Sequence, residues 1–168
     1  MKNNIHSGHA YIFGQNIDTD QIYPGRFVEL TDIADVIQHT LEGADPNFVK
    51  EFQKGDLVIA GSNFGCGSSR EHAAICLKEI GVGAVIADSF ARIFYRNGIN
   101  LGLPLIVCPG LFKKVKKGDL LSFDIQTGEI KNEKNDIIAT AEPLSDYSMA
   151  ILNHGGIKNM LKAQLAKG

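Results

Sequence analysis

Short runs of consecutive apolar residues alternate with longer amphipathic segments through the middle of the chain. The runs LVIAG, AVIA and LPLIVC, at 57–61, 84–87 and 103–108, predict buried strands because no polar residue interrupts them. The segments 69–80 and 89–98 between them predict helices. Strands that alternate with helices in this way are typical of an α/β domain with a parallel sheet.

The segment that precedes this middle section has a different pattern. It predicts a strand at 10–13, a helix at 32–41 with Asp32 as its N-cap, and a short helix at 48–52. A polar loop, GQNIDTDQIYPGR, separates the strand from the first helix.

The last third of the chain predicts antiparallel strands followed by a helix. Residues 119–130 contain two β-type runs around the turn sequence QTG at 126–128, a pattern typical of a hairpin. Residues 136–144 predict a further strand. An amphipathic helix is predicted at 147–166, with an interruption at the glycine pair 155–156.

Length and composition fit one globular domain. The chain has 168 residues, of which 44% are hydrophobic, so we predict a single mixed α/β domain over 1–168. The formal net charge of −2 gives no electrostatic basis for binding nucleic acid or an anionic membrane. No apolar run reaches the ~18 residues of a membrane span, and the polar N-terminus lacks a signal-peptide core. We therefore predict a cytoplasmic location.

The cysteines and histidines form no recognisable metal-binding motif. Cys66, Cys76 and Cys108 include no CxxC pair, and the five histidines include no HExxH pattern. We therefore predict that the chain binds no metal of its own.

The stretch GSNFGCGSSREHA, at 61–73, concentrates glycine, serine and charge where a predicted strand meets a predicted helix. Its spacing excludes a phosphate-binding P-loop, because the lysine position falls on Gly67, and a GxGxxG motif, because the third glycine position falls on Arg70. Backbone N–H groups, a helix N-terminus and Arg70 can instead hold a carboxylate. Ser68 and Ser69 add hydroxyls, and a serine among such donors can take part in proton transfer.

Several of these positions also have a purely structural interpretation. Ser68 and Glu71 have the spacing of a capping box, in which Ser68 is the N-cap of the helix. Cys66 is a candidate thiol nucleophile, but no partner base is recognisable, and a small packed residue is the simpler interpretation. Arg92 and Arg96, on the next predicted helix, are interpreted as structural residues.

Three segments of the chain resemble the aconitase superfamily. NFGCGSSREHAA resembles its serine–arginine signature, DSFARIFYRNGINLGLPLIV the segment that follows it, and NIDTDQIYPGRF its early Asp-Thr-Asp loop. A free-standing chain of this length is similar to the small subunits of isopropylmalate dehydratases. The resemblance implies a swivelling β/β/α three-layer domain, as in the C-terminal domain of aconitase. It also implies a separate large subunit that bears a four-iron, four-sulfur cluster.

The matching motif positions imply roles for four residues. Ser68 would be the base that removes a proton from carbon and returns it, while Ser69 and Arg70 would bind a substrate carboxylate. Asp20, the second acid of the Asp-Thr-Asp motif, would pair with a histidine of the large subunit as the hydroxyl leaves. Its structural alternative is a turn residue that accepts backbone N–H groups. The cluster on the large subunit would act on the substrate as a Lewis acid.

The loop at 26–30 resembles the specificity loop of the superfamily. It consists of Arg26, Phe27, Val28, Glu29 and Leu30. Homoaconitase-type small subunits carry an arginine in this loop to hold an additional carboxylate, whereas Glu29 would repel one. Phe27, Val28 and Leu30 are apolar and favour a branched alkyl group on the substrate.

These features together predict the small subunit of a hydro-lyase that acts on a small 2-hydroxy dicarboxylic acid. The loop favours isomerisation of 2-isopropylmalate to 3-isopropylmalate, a step of leucine biosynthesis, by dehydration and rehydration. Related dehydratases of 2,3-dimethylmalate, methylmalate/citraconate or homoaconitate are alternatives. A non-catalytic anion-binding module and a thiol enzyme centred on Cys66 are alternatives from other classes.

Overall fold

The computed structural model describes residues 4–167, which form seven strands, seven α-helices and two short 3-10 helices. In chain order these are β1 (Ile5–Ile12), α1 (Thr19–Ile22), a 3-10 helix (Gly25–Phe27), α2 (Ile33–Ile37), α3 (Phe48–Glu51), β2 (Leu57–Ala60), α4 (Glu71–Ile80), β3 (Ala84–Ala87), α5 (Arg92–Leu101), β4 (Leu105–Val107), a second 3-10 helix (Leu111–Lys113), β5 (Leu120–Asp124), β6 (Glu129–Lys131), β7 (Ile137–Thr140), α6 (Asp146–Asn153) and α7 (Ile157–Lys167). None of the helices in this part of the chain is long and apolar enough to cross a membrane.

All seven strands belong to one sheet, in the order β4-β3-β2-β1-β5-β6-β7. Strands β1 to β4 are parallel to one another, whereas β5, β6 and β7 continue the sheet from β1 as antiparallel neighbours. We call these two parts the parallel half (β1 to β4) and the antiparallel half (β5 to β7). Strand β1 joins them, because its residues 10–12 pair with β2 and its residues 5–9 pair with β5.

The predicted mixed α/β fold is confirmed. Strands β2, β3 and β4 lie within the three predicted apolar runs, and every residue of β2 and β3 is buried, as expected for parallel strands covered on both faces. The predicted hairpin and the strand after it form β5, β6 and β7. The predicted C-terminal helix is divided at the glycine pair 155–156 into α6 and α7.

The first strand is longer than the hydrophobic pattern predicted. It begins at Ile5 instead of residue 10, because the backbone of its first half pairs with β5. That half contains His6, Ser7 and His9, so its extended conformation is supported by strand pairing and not by an apolar run.

The helix predicted at 32–41 is shorter than expected. Asp32 is its N-cap, as predicted, but α2 ends at Ile37. Further on, Leu41 has a φ of +56° and its N–H donates to the carbonyl oxygen of Ile22 at 2.6 Å. A left-handed residue whose N–H is bonded to another segment cannot continue an α-helix.

The helices α4 and α5 connect consecutive parallel strands and pack against each other. Each ends at a glycine in the left-handed conformation, Gly81 with a φ of +98° and Gly102 with a φ of +88°. The chain then returns to the next strand. The N-termini of α4 and α5 therefore lie at the edge of the sheet where β2 and β3 end.

Candidate active site

The loops that follow β1, β2 and β3 meet at the carboxyl edge of the parallel half. The N–H of Thr19 donates to the carbonyl oxygen of Cys66 at 2.8 Å, which joins the first loop to the second. The N–H of Ala91 donates to the carbonyl oxygen of Phe64 at 2.9 Å, which joins the second loop to the third. Parallel sheets bind ligands in crevices at this edge.

The central loop, which contains the glycine-serine turn at 61–70, requires glycine where it meets α5. Gly65 has a φ of +86°, and a Cβ at this position would lie 2.2 Å from Cγ of Phe94. Gly67 also has a positive φ, of +100°. A larger residue at Gly65 would displace Phe94 and with it the first turn of α5. The glycine-serine turn therefore fixes the position of that helix.

Helix α4 begins at Glu71, with Arg70 as an N-cap that makes no side-chain capping hydrogen bond. The predicted capping box of Ser68 and Glu71 is therefore wrong, as is the start of this helix at residue 69. The hydroxyl of Ser68 is instead hydrogen-bonded to Oγ1 of Thr19, with 3.1 Å between the oxygens. Ser68 is thus directed toward the loop that follows β1 and does not cap the N-terminus of α4.

Helix α5 begins beside α4 in a similar way. Its N-cap, Ala91, also makes no side-chain capping hydrogen bond, and the helix starts at Arg92 instead of residue 89. Both helices have ten residues, so each directs an appreciable positive potential out of its N-terminus. Two uncapped helix N-termini at one place favour an anionic ligand.

A cavity of about 200 Å³ lies between these two helix N-termini. The side chains that line it include Thr19, Ser68, Ser69, Arg70, Arg92 and Asn97. The structure therefore brings together the three residues of the serine–arginine signature that the sequence singled out. The cavity has room for a small carboxylate and is smaller than the pockets of ~300–1,000 Å³ that hold drug-sized ligands.

Arg70 is held in place by the loop that follows β1. Its Nη1 donates to the carbonyl oxygen of Tyr23 at 3.0 Å and to Oδ1 of Asp20 at 3.2 Å. Gly25 provides space for the guanidinium group, because a Cβ there would lie 3.1 Å from Nη2. The side chain is only 21% exposed, so its orientation is largely fixed before any ligand binds.

Asp20 makes contacts that fit both of its interpretations. Its Oδ1 accepts the N–H of Gly25 at 2.7 Å, as a turn residue would, and also contacts Arg70. Its side chain is 70% exposed, so a group from another molecule can reach it. Asp20 does not line the cavity, but its bond to Arg70 connects it to a residue that does.

Three polar residues that line the cavity were not given a functional role by the sequence. Thr19 is 3% exposed. It lies between the two acids of the Asp-Thr-Asp motif, and this position in the sequence could have indicated that it belongs to the site. Asn97 lies one helical turn after Ile93 on the face of α5 that lines the cavity. Arg92, interpreted as structural, also lines it, whereas Arg96 does not.

None of the loop residues 26–30 lines the cavity. Phe27 and Leu30 are half-buried and pack against the core, whereas Val28 and Glu29 are exposed. Arg26 forms an ion pair with Glu42, 2.9 Å from Nη2 to Oε2. The role of this loop in specificity stays a prediction. Besides Arg26, the exposed residues of the loop are Val28 and Glu29.

The cysteines give no support to a metal centre or a thiol enzyme. Burial raises the pKa of Cys76 to about 12 and also raises the pKa of Cys108, so both thiols stay protonated at neutral pH. Cys66 is half-buried and does not line the cavity. In residues 4–167, no three His, Cys, Asp or Glu side chains lie together as a metal site requires, and we assign no iron ligand to this chain.

Comparisons with known proteins agree with this architecture. Residues 43–109 match the model of the aconitase C-terminal domain. The chain is 47% identical to 3-isopropylmalate dehydratase small subunit 1 of Methanopyrus kandleri, over 94% of this chain and 92% of that one. It is also 47% identical to the isopropylmalate/citramalate isomerase small subunit of Methanocaldococcus jannaschii, over 97% of both chains.

A solved structure has the same fold over nearly the whole length. The crystal structure of a 3-isopropylmalate dehydratase from Methanocaldococcus jannaschii superposes with a TM-score of 0.90 at 43% identity, covering 98% of this chain and 99% of that one. The fold and the site at its sheet edge thus define a chain of the aconitase C-terminal domain type. Within that class, the chain belongs to the family of 3-isopropylmalate dehydratase small subunits.

Proposed function

We propose that this chain is the small subunit of a hydro-lyase that interconverts 2-isopropylmalate and 3-isopropylmalate. One observation carries the proposal: Ser68 and Arg70 line the same cavity, which is bounded by two uncapped helix N-termini. Such a site binds a carboxylate and, next to it, stabilises a negatively charged oxygen. Both are needed to remove a proton from the carbon beside a carboxylate.

Arg70 and Ser69 would bind and orient the substrate. Arg70 is fixed by Tyr23 and Asp20, so its remaining N–H groups can meet a carboxylate without a large loss of side-chain entropy. Ser69 is exposed and lines the same cavity. Binding the carboxylate here would bring the adjacent carbon close to Ser68.

Ser68 would transfer the proton. Its hydrogen bond to Thr19 and the positive potential of the helix N-termini favour the deprotonated oxygen, which serine alone does not reach in water. In the forward reaction Ser68 would take a proton from carbon 3 of 2-isopropylmalate. The electron pair of the broken C–H bond would form the double bond between carbons 2 and 3, and the hydroxyl would leave carbon 2 as water. Rehydration would return the proton to carbon 2 and place the hydroxyl on carbon 3.

Departure of the hydroxyl would depend on a large subunit. The exposed carboxylate of Asp20 is suited to hold a proton-donating histidine of such a partner. A four-iron, four-sulfur cluster on the partner would supply Lewis acidity at the substrate hydroxyl. Any iron ligands would come from that partner, because this chain offers no group of metal-binding side chains within residues 4–167.

The exposed part of the loop supports a substrate without a third carboxylate. Glu29 would repel a carboxylate on the substrate side chain, and Val28 beside it is apolar. A second candidate substrate is 2-methylmalate, since the Methanocaldococcus jannaschii relative is named for both isopropylmalate and citramalate. The two substrates differ only in the size of an apolar group.

Reconstitution with the large subunit tests the proposal. The chain should be purified anaerobically with a cluster-loaded large subunit and assayed on 2-isopropylmalate and 2-methylmalate. Ser68→Ala should lower kcat by about a thousandfold, because a general base contributes on the order of 10²–10⁴. Ser7→Ala, which alters an exposed serine of β1 outside the cavity, is the matched control.

Three results of this assay are informative. Activity that requires both chains and is lost in Ser68→Ala supports the proposal. Near-normal turnover in Ser68→Ala would refute the assignment of the base. Binding of isopropylmalate without turnover by a properly loaded complex would favour a non-catalytic anion-binding module.

A further inference from the structure

Two side chains of the loop 24–30 pack against the core, and the residues between them are exposed. It contains one turn of 3-10 helix, Gly25–Phe27, and three of its N–H groups donate to loop carbonyls: those of Phe27, Val28 and Leu30, at 3.1 to 3.2 Å. Phe27 and Leu30 pack against the core, whereas Val28 and Glu29 are exposed. Such a short segment is not rigid by itself, so its shape depends on what Phe27 contacts.

Phe27 contacts a histidine that the proposed function does not use. The imidazole ring of His39 stacks on the ring of Phe27, with 3.5 Å between centroids and 12° between planes. His39 is largely buried, with 22% of its side chain exposed. Because His39 follows α2, this contact attaches the loop to a segment outside the site.

Glu42 completes a closed group of four side chains. Its Oε1 accepts a hydrogen bond from Nδ1 of His39 at 3.0 Å, and its Oε2 accepts one from Nη2 of Arg26 at 2.9 Å. The guanidinium of Arg26 also lies over the ring of Phe27, with Cζ 4.7 Å from the centroid. We call these four residues, Arg26, Phe27, His39 and Glu42, the loop clamp.

The loop clamp is connected to the carboxylate-binding residue. The hydroxyl of Tyr23 donates to the carbonyl oxygen of Phe27 at 2.7 Å, and the carbonyl oxygen of Tyr23 accepts from Arg70 at 3.0 Å. Tyr23 therefore joins the loop to Arg70, and Asp20 provides a second connection through the N–H of Gly25. The position of Val28 and Glu29 relative to a bound carboxylate is determined through these contacts.

We propose that His39 is a positioning residue for substrate selection, which rests on the proposed function above. By stacking on Phe27 and bonding to Glu42, it fixes the loop clamp so that Val28 and Glu29 are presented to the substrate side chain. His39 does not line the cavity. Its loss would therefore change the recognition of the alkyl group and leave proton transfer by Ser68 intact.

Steady-state kinetics of the complete heteromer test this role. His39→Ala should raise KM for 2-isopropylmalate about tenfold, the range expected when an apolar group loses its contacts, and leave kcat within about twofold. KM for 2-methylmalate, with its smaller apolar group, should change less. His39→Phe keeps a ring against Phe27 and should recover most of the preference. An equal fall of kcat for both substrates, or no recovery with His39→Phe, would overturn the proposal.

Hydrogen exchange tests the clamp without any assay of activity. In the isolated full-length chain, His39→Ala should increase the exchange rates of the Phe27, Val28 and Leu30 amides by about tenfold or more. The control is His154→Ala, which removes an exposed histidine after α6. Unchanged exchange at these amides would refute the clamp. If the wild-type heteromer proves inactive, the proposed function fails, and exchange still decides whether His39 holds the loop.

Discussion

The two halves of the sheet support very different amounts of chemistry. In the parallel half, β1, β2 and β3 all end at one edge, so three loops meet there and build the cavity. In the antiparallel half, successive strands reverse direction, and β5 and β6 are joined by a short turn that ends at Gly128. The position of the site thus follows from strand direction, since only parallel strands bring successive loops to the same edge.

The same backbone requirement has different consequences in the two halves. Gly65 and Gly128 both have a positive φ, and both lack space for a Cβ. At Gly65 the nearest atoms belong to Phe94 of α5, whose first turn lines the cavity, whereas at Gly128 the nearest atom is the carbonyl oxygen of Ala141. A glycine in one half positions a functional helix, and a glycine in the other closes a hairpin.

Among the substitutions that compare the two halves, the largest effect is expected to separate these two glycines. Gly65→Ala should lower kcat/KM of the folded protein by about a hundredfold. The added Cβ would displace α5, and a misplacement of ~1 Å in a catalytic site lowers the rate by about that factor. Gly128→Ala, the matched control, should destabilise the fold by about 1–3 kcal/mol and leave kcat/KM unchanged. Thermal unfolding and kinetics on the folded fraction check both. Equal kinetic effects would show that the halves are not independent.

A smaller effect is expected when Arg70, a charged residue that lines the cavity, is replaced. Arg70→Lys should raise KM by about 10- to 100-fold, because an ammonium group loses one charge-assisted hydrogen bond worth about 1.5–3 kcal/mol. Arg96→Lys is the control, because Arg96 is exposed on α5 and does not line the cavity. A similar KM for both variants would exclude Arg70 as the carboxylate ligand.

A still smaller effect is expected at the loop beside the site. Glu29→Arg should shift the ratio of kcat/KM by about tenfold toward homoaconitate, because an attractive charge replaces a repulsive one. Glu29→Gln removes the repulsion without adding attraction, so its shift should be smaller. Competition assays with both substrates measure the ratio. If neither variant changes it, the loop does not contact the substrate side chain.

The smallest effect concerns the junction of the two halves, where the first part of β1 pairs with β5. Burial lowers the pKa of His6 below 6.5, and its Nε2 is buried without a hydrogen-bond partner in the described part of the chain. The unfolded chain therefore binds this proton more readily, and the free energy of unfolding should decrease as pH falls through 6.5. His6→Leu should reduce that decrease, while His154→Leu, at an exposed histidine, should not. Denaturant titrations at pH 7.5 and pH 5.5 provide the test.

Sequence patterns predicted the elements better than the contacts between them. The apolar runs gave β2, β3 and β4, and the glycine pair 155–156 correctly divided the last helix, because burial and helix breaking are local properties. Strand β1 was predicted too short, since its polar first half becomes extended only by pairing with the distant β5. Resemblance to a family supplied the candidate residues, and spacing alone left their roles open.

The capping box illustrates what local reasoning misses. Ser68 and Glu71 satisfy the sequence pattern, yet the partner of the Ser68 hydroxyl is Thr19. That partner becomes available only because β1 and β2 are neighbours in the sheet. The contacts of the loop clamp also could not be predicted from the local pattern, because the turns between Phe27 and His39 bring these two side chains together.

The hydrogen bonds of the site join residues that are far apart along the chain. Thr19 and Ser68 are 49 positions apart, and Asp20 and Arg70 are 50 apart. During folding, contacts of such high sequence separation form late, because closing a long loop costs entropy before any contact compensates for it. The β5–β6 hairpin, by contrast, pairs residues only a few positions apart. Recovery of activity during refolding is therefore a stricter measure of the native state than recovery of secondary structure.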